Sequence, residues 1–380
     1  MTGEKIESIA TALVVGGGIG GMATAIGLAR RGVAVDLIDL DPDWRVYGAG
    51  ITITGPTLRA YRHLGLVDRI KAEGAVTTSS SRVRLFDGTV LRVLDEPEIE
   101  EGLPATGGIM RPVLHRIMQD AVRALNIPVR LGLTVTALET AGDAVDVKFS
   151  DGGSGRYDLV VGADSVFSTV RDMAFPHMGQ AVPTGQGCWR ISIRKPPEQD
   201  MGEFYFGSDN PCGITICGAD AVYLFLLTPH VERERFMDEE ELFTALKAHL
   251  APFGGNAGWI RDNMGPADWI NYRPLAAVIQ PKPWFNGRVV LLGDAVHATT
   301  PHLASGAGMA VESAIVLAEE LARADSVDAA LLGYQERRYA RCKDVVDSSV
   351  EIGKQQLAHG RPDVIAGLIE GALMRLNQPY

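Results

Sequence analysis

Apolar and polar positions along the chain follow two periods in turn, and the change of period marks the elements. Thr11–Val15 (TALVV) is a short continuous apolar run, the pattern of a strand buried on both faces. The alanine-rich segment Met22–Arg31 follows. Arg30 and Arg31 fall in its last turn and Gly32 just beyond, which predicts a helix that stops there. Val33–Ile38 is a second buried strand, and Asp39 ends it. Val113–Leu125 has helical spacing, residues 129–150 alternate as strands around a turn at Gly142-Asp143, and a buried strand opens at Tyr157. Between 181 and 271 aromatic and turn residues are denser, with strands predicted at Cys188–Ile193, Gly202–Phe206, Gly213–Cys217 and Val222–Leu227. Arg288–Leu292 is another strand, Gly306 opens a long helix to about Arg323, and 326–380 is helical throughout.

The chemistry sits in the joints between these elements. Gly16, Gly18 and Gly21 fill the positions of G-x-G-x-x-G between the first strand and its helix, and Asp39 lies 23 residues after Gly16. Gly16 makes the tight turn, Gly18 lets backbone N–H groups approach a pyrophosphate, and Gly21 lets the helix pack on the strand. Asp39 is placed to accept hydrogen bonds from a ribose. With strand, helix and acid all in place, the pattern predicts dinucleotide binding. Arg45 and the Gly48-Ala49-Gly50 patch follow, as suits an extended cofactor running past the first unit. A plain nicotinamide dehydrogenase has no need of such a patch.

A second glycine cluster closes a later strand with Gly293-Asp294, continues through His297, Pro301 and His302, and opens a helix at Gly306 and Gly308. Asp294, at a strand's carboxyl end, is placed to bind a polyol hydroxyl such as a flavin's ribityl chain. The helix entry turns backbone amides toward a developing anion. A zinc site of Asp294, His297 and His302 would leave these glycines unexplained. Between the clusters, Gly162-Ala163-Asp164 follows a buried strand, with Ser168 and Arg171 after it. Arg111 precedes the helix Val113–Leu125, within reach of a phosphate or flavin edge.

The expected fold class is α/β: a Rossmann-like FAD-binding domain from 1–76, 100–180 and 272–325, an inserted mostly antiparallel β-sheet substrate domain from 77–99 and 181–271, and a helical C-terminal segment 326–380. Composition narrows the partners. Glycine makes up 43 of 380 residues, about 11 % against a usual ~7 %, so the excess belongs at turns and close backbone contacts. The net charge of −11 disfavours nucleic-acid binding, which needs a basic footprint. The four cysteines (Cys188, Cys212, Cys217, Cys342) are scattered, as in reduced cytosolic proteins. No segment has the ~18 apolar residues of a membrane helix, and a cytoplasmic monomer or homodimer is expected.

Taken in order, Gly16–Gly21 with Asp39, then Gly162-Ala163-Asp164 with Ser168 and Arg171, then Gly293-Asp294 with His297, Pro301, Gly306 and Gly308, resemble the single-component FAD-dependent aromatic hydroxylases, the p-hydroxybenzoate and salicylate hydroxylase group. The likeness spans nearly the whole chain. It implies noncovalent FAD, NADH or NADPH as reductant, and transfer of one atom of O₂ to an aromatic small molecule through a flavin C4a-hydroperoxide. Carried over position by position, it puts Gly16, Gly18, Ile19, Gly20, Gly21, Asp39, Leu40, Arg45, Gly50, Ile51, Arg111, Asp164, Gly293, Asp294, Pro301, Gly306, Ala307, Gly308 and Met309 around FAD. A base that ionises a phenolic substrate is sought among His230, Tyr205, Tyr223 and His302, and substrate contacts at Arg190, Pro301 and His302. Three positions depart from the family pattern: Ser165 stands where a glycine is usual, Ser305 where glutamine is, and Ser313 where aspartate is. Competing expectations are the same flavin machinery on a non-aromatic substrate, an FAD-dependent reductase without oxygen insertion, and a flavin-binding sensor.

Overall fold

The computed structural model of the chain describes residues 4–46, 48–76, 80–95, 98–232 and 236–380. The expected boundary between 76 and 77 therefore touches residues outside the described ones. The chain opens with β1 (Thr11–Val15), α1 (Ile19–Ala29) and β2 (Ala34–Asp39), then β3 (Gly50–Thr54), α2 (Gly55–His63) and α3 (Val67–Glu73). It makes a short excursion through β4 (Ser80–Leu85) and β5 (Val90–Asp95) and returns in β6 (Thr106–Met110), α4 (Arg111–Ala124) and β7 (Val129–Leu131). A meander β8 (Val135–Ala141), β9 (Ala144–Phe149) and β10 (Ser154–Tyr157) leads into β11 (Leu159–Gly162) and α5 (Thr169–Ala174). The long excursion is β12 (Val182–Arg194), β13 (Gly202–Phe206), β14 (Cys212–Ile216), β15 (Ala221–Pro229), α6 (Glu239–His249), α7 (Gly255–Asn263) and β16 (Ile270–Ala277). The return is β17 (Phe285–Asn286), β18 (Val289–Leu291), α8 (Asp294–His297), a 3-10 turn Pro301–Leu303 and α9 (Gly306–Arg323), followed by α10 (Val327–Leu357) and α11 (Pro362–Leu376).

Two sheets dominate. The first has the order β17-β18-β11-β1-β2-β7 and is parallel except for β17. Its central strands are covered on both faces, so Leu13, Val14, Val160 and Val161 are wholly buried. The second has the order β16-β12-β15-β14-β13-β4-β5 and is antiparallel except where β13 meets β4. Its side chains alternate between two environments. Trp189, Ile191, Tyr205, Ile214, Leu224 and Leu226 pack on Leu246, Phe253 and Ile260 of the α6–α7 side. Tyr223 and Cys217, on the other face, pack on Ala49 and Met110 of the first domain.

The α/β class with an inserted, mostly antiparallel sheet is what the sequence predicts. The differences are local. Helices α6 and α7 fall in a stretch of the inserted domain where the sequence predicts no particular element; α6 starts in a capping box in which Asp238 accepts from the Glu241 amide and Glu241 accepts from the Asp238 amide. The expected return at Tyr272 falls inside β16, which stays paired with β12 as far as Ala277. The C-terminal segment is two helices rather than one, broken where His359 takes φ +52° before Pro362.

Candidate active site between the two sheets

The turn from β1 to α1 is built by glycines with distinct jobs. Gly16 has φ +106°, and a Cβ there would lie 2.4 Å from the Ala163 carbonyl oxygen. A Cβ on Gly21 would lie 1.8 Å from the Gly16 carbonyl oxygen, so α1 approaches β1 only because that Cβ is missing. Gly20 instead faces Leu292 and Ala310, where α1 packs against the second cluster. Gly18 has ordinary backbone angles and no atom within 4 Å of its would-be Cβ. It precedes Ile19 at the start of α1, where free amides and the helix dipole favour an anion. Asp39 holds the turn from the side: its Oδ2 accepts from the Gly17 amide at 2.6 Å and its Oδ1 from Asp41 at 2.7 Å. The buried Trp44 indole donates to the Gly17 carbonyl at 2.9 Å. Leu40 is exposed, and Arg45 is exposed and paired with Asp43.

The middle loop closes on itself. Asp164 accepts from the hydroxyls of Ser168 and Thr169 and from the Val170 amide, so its half-buried carboxylate braces the start of α5. Ser165 sits at φ +77°, the left-handed region that the usual glycine would occupy without strain. Arg171, wholly buried, donates to the carbonyls of Val166 and Ala295 and so ties this loop to α8.

In the second cluster Gly293 has φ +65° and turns the chain from β18 into α8. Asp294 keeps accessible surface, whereas Ala295, Val296 and His297 after it are buried. Although Asp294 keeps accessible surface, the protein packed around its carboxyl excludes much of the water and pushes it up, while His297 and Arg111 pull it down. Pro301 starts the 3-10 turn. His302 beside it has both nitrogens engaged, Nδ1 with Thr300 Oγ1 at 2.8 Å and Nε2 with Gln356 Oε1 at 3.1 Å, and burial pushes it down to about 4. A base so weak, with both nitrogens taken, does not fit the expected catalytic role. Ala307 and Gly306 are half-buried at the start of α9, but Gly308 serves helix packing: its Cβ would fall 2.1 Å from Thr57 Oγ1 on α2. Met309 is core. Asp294, His297 and His302 do not converge on one point, since His297 turns to Ser313 and His302 to Gln356.

Opposite this cluster stands the inner face of the second sheet. Arg190 on β12 and Tyr223 on β15 are neighbours there, and Arg111, at the start of α4, is close enough to both to feel their charge. Arg111 and Arg190 are half-buried, as cations lining a cleft are. Burial pushes Tyr223 up to about 12, so its phenol stays protonated at neutral pH and can donate but not act as a base. Gly50 carries no obvious cofactor duty; a Cβ there would strike Cys217 Sγ at 2.2 Å and Tyr223 Cβ at 2.6 Å, so its bareness lets β3 lie against the sheet. Ile51 next to it is half-buried and pairs with Ile109 of β6.

Two base candidates fall on the wrong face. Tyr205 shares the helix-covered side with Trp189, donates to Glu203 at 2.8 Å and accepts from the Ala257 amide at 3.1 Å. His230 stacks on Tyr272, whose ring meets Trp189 at a tilt, with Nδ1 2.7 Å from the Tyr272 hydroxyl. One-residue alternation along β13 decides the case of Tyr205, and only pairing fixes which parity faces inward; His230, just past the end of β15, is held by Tyr272 of β16.

The family model described as "FAD binding domain" matches residues 10–349 of the chain. The chain belongs to the FAD-dependent aromatic hydroxylases. It is 32 % identical to YetM of Bacillus subtilis, named as an inferred FAD-dependent monooxygenase, over 91 % of this chain and 93 % of that protein. It is 29 % identical to 2-heptyl-3-hydroxy-4(1H)-quinolone synthase of Pseudomonas aeruginosa, covering 90 % and 89 % respectively. In fold it matches HpxO of Klebsiella pneumoniae, solved with FAD and uric acid, with a TM-score of 0.82 at 24 % identity, over 97 % of this chain and 93 % of that one.

The residues of this hydroxylase-family chain fit FAD on two observations. The turn before α1 leaves Gly18 open beside free amides, and Asp294 presents the one accessible carboxylate of α8 near Arg111. Trp44 and Thr57 were not anticipated; the indole after the acid-ended strand was the only sequence trace of the first, and nothing local signalled the second. No helix among the described residues is long and apolar enough to cross a membrane.

Proposed function

We propose that this FAD-dependent monooxygenase uses NADH or NADPH and O₂ to hydroxylate an aromatic small molecule, phenolic or N-heteroaromatic, that carries an acidic oxygen. The observation that carries this reading is the pair Arg190–Tyr223 on the inner sheet face, with Arg111 near both. FAD, when bound, supplies the redox chemistry that activates O₂. The chain supplies the rest. Gly18 and the start of α1 would take the pyrophosphate, and Asp294 a ribityl hydroxyl. Arg190 would pair with an enolate or phenolate oxygen, holding the ring in its electron-rich ionised form, while protonated Tyr223 donates a hydrogen bond to it. Phe225, Cys188, Leu227 and Leu275, which cluster beside Arg190, keep that face dry.

The relatives support the same class. A quinolone product and uric acid are both nitrogen heterocycles that carry carbonyl or hydroxyl oxygens as ring substituents. A panel of hydroxybenzoates, hydroxypyridines and hydroxyquinolones tests the reading, scored by the rate of flavin reduction with NADH and with NADPH and by product mass. Arg190→Gln should raise KM for the responding substrate at least tenfold while leaving FAD affinity within twofold. Equal KM values for the two proteins would remove Arg190 from the substrate site.

A further inference from the structure

His297 lies one turn along α8 from Asp294 and belongs to a buried polar chain that the reading above does not use. Its Nε2 is 3.1 Å from Ser313 Oγ, and Ser313 Oγ accepts from Arg338 Nε at 3.2 Å. Arg338, wholly buried, donates also to the Met309 carbonyl in the first turn of α9 at 3.3 Å and pairs with Glu312 at 2.9 Å. Arg341 binds both oxygens of the same Glu312, at 2.8 and 2.9 Å. One carboxylate thus answers two guanidiniums, and from this cluster the Arg338 cation of α10 and the Glu312 carboxylate of α9 act on His297 with opposite sign, Arg338 the more strongly. Asp294 faces it from α8, and the Trp284 ring, with no charge, packs 5.8 Å away.

We propose that Arg338, acting through Ser313, keeps the His297 imidazole neutral and is thereby a positioning residue for the flavin site. A neutral His297 makes no ion pair with its neighbour, so the Asp294 carboxylate stays free to accept a hydrogen bond from a ligand hydroxyl. A protonated His297 would draw that carboxylate back. Burial and the Arg338 charge both push His297 down, to about 4, against the opposite pull of Asp294 and Glu312. Ser313 matters because it brings no charge: an aspartate there would place a carboxylate beside His297 and invite the proton.

The proposal rests on the flavin reading of Asp294, and its test separates the two. NMR titration of the apoprotein, with the His297 signal assigned by its loss in His297→Gln, is combined with FAD titrations at pH 8 and 5.5. Wild type should show a His297 that does not titrate between pH 8 and 5, with FAD affinity changing less than twofold. Arg338→Met should bring the His297 titration above pH 5 but leave it below the free value of about 6.5, because burial still opposes the proton, and should weaken FAD about threefold at pH 5.5 relative to pH 8. Arg338→Lys should restore the flat profile. Ser313→Asp, which leaves Arg338 a partner, should bring a proton onto His297 near neutral pH and decides the matter if Arg338→Met does not fold. A wild-type His297 titrating near 6.5, or variants in which it stays silent, would overturn the proposal. A wild type that binds no FAD would instead overturn the flavin reading, with the NMR titration still deciding the role of Arg338.

Discussion

Gly18→Ala and Gly21→Ala, three residues apart in one turn, should fail in opposite ways. At Gly21 the new methyl would lie 1.8 Å from the Gly16 carbonyl oxygen, where ordinary contact starts at about 3.4 Å. The obstacle is backbone, so no side chain can rotate away, and either α1 or the turn must move. Overpacking of this kind costs at least about 3 kcal/mol, or roughly 4 °C or more in melting temperature for a chain of this length. At Gly18 the methyl meets nothing within 4 Å and φ is −73°, which any residue adopts. The fold should lose at most about 1 kcal/mol from the poorer helix cap. The methyl would, however, stand where backbone amides must reach a pyrophosphate. Losing one or two hydrogen bonds to a charged group costs about 1.5–3 kcal/mol, or about 10- to 100-fold in affinity. Apoprotein melts and FAD titration by quenching of flavin fluorescence read the two effects apart. A Gly18→Ala protein that binds FAD like wild type, or that melts as low as Gly21→Ala, would refute this division of roles.

Three further outcomes are expected. Asp294→Ala should purify largely without flavin and bind FAD more than tenfold more weakly, as absorbance at 450 nm per protein will show. Ser165→Gly removes a left-handed strain of about 1–2 kcal/mol and adds about 0.5–1 of unfolded-state freedom, so urea unfolding should show a net gain of about 0.5–1 kcal/mol. His302 is held at about 4, below the ~6.5 of an unfolded chain, so protons favour unfolding. Its contribution is complete above pH 6.5 and is lost as pH falls toward 4, up to about 3 kcal/mol; His302→Gln should flatten that part of the stability–pH curve.

Much of the fold was legible because short-range pattern carries it. Strand β1 runs over Thr11–Val15 and β13 over Gly202–Phe206, as the apolar runs predict, and the helix from Gly306 to Arg323 matches its residue spacing. The glycine clusters were legible as positions but not as purposes. Gly16, Gly18 and Gly21 divide among turn geometry, open space and close packing, whereas Gly50 and Gly308 make room for Tyr223 and Thr57, which are far away in sequence. Side-chain direction was not legible either. Tyr205 and Tyr223 look alike as aromatic residues in predicted strands, and only the register of β13, β14 and β15 sends one to the helices and the other to the cleft. The motif marks Asp164 as a cofactor contact but does not disclose the three hydrogen bonds its carboxylate accepts within its own loop.

The central claim is oxygen insertion directed by a flavin set between the glycine turn and the Arg190–Tyr223 face. The measurement that meets it most directly is a single turnover of FAD-loaded protein under ¹⁸O₂, with NAD(P)H and the panel compound that most accelerates flavin reduction. One ¹⁸O atom per molecule of product is expected, with the yield falling in Arg190→Gln. Hydrogen peroxide as the sole oxygen product with every compound tried would contradict it.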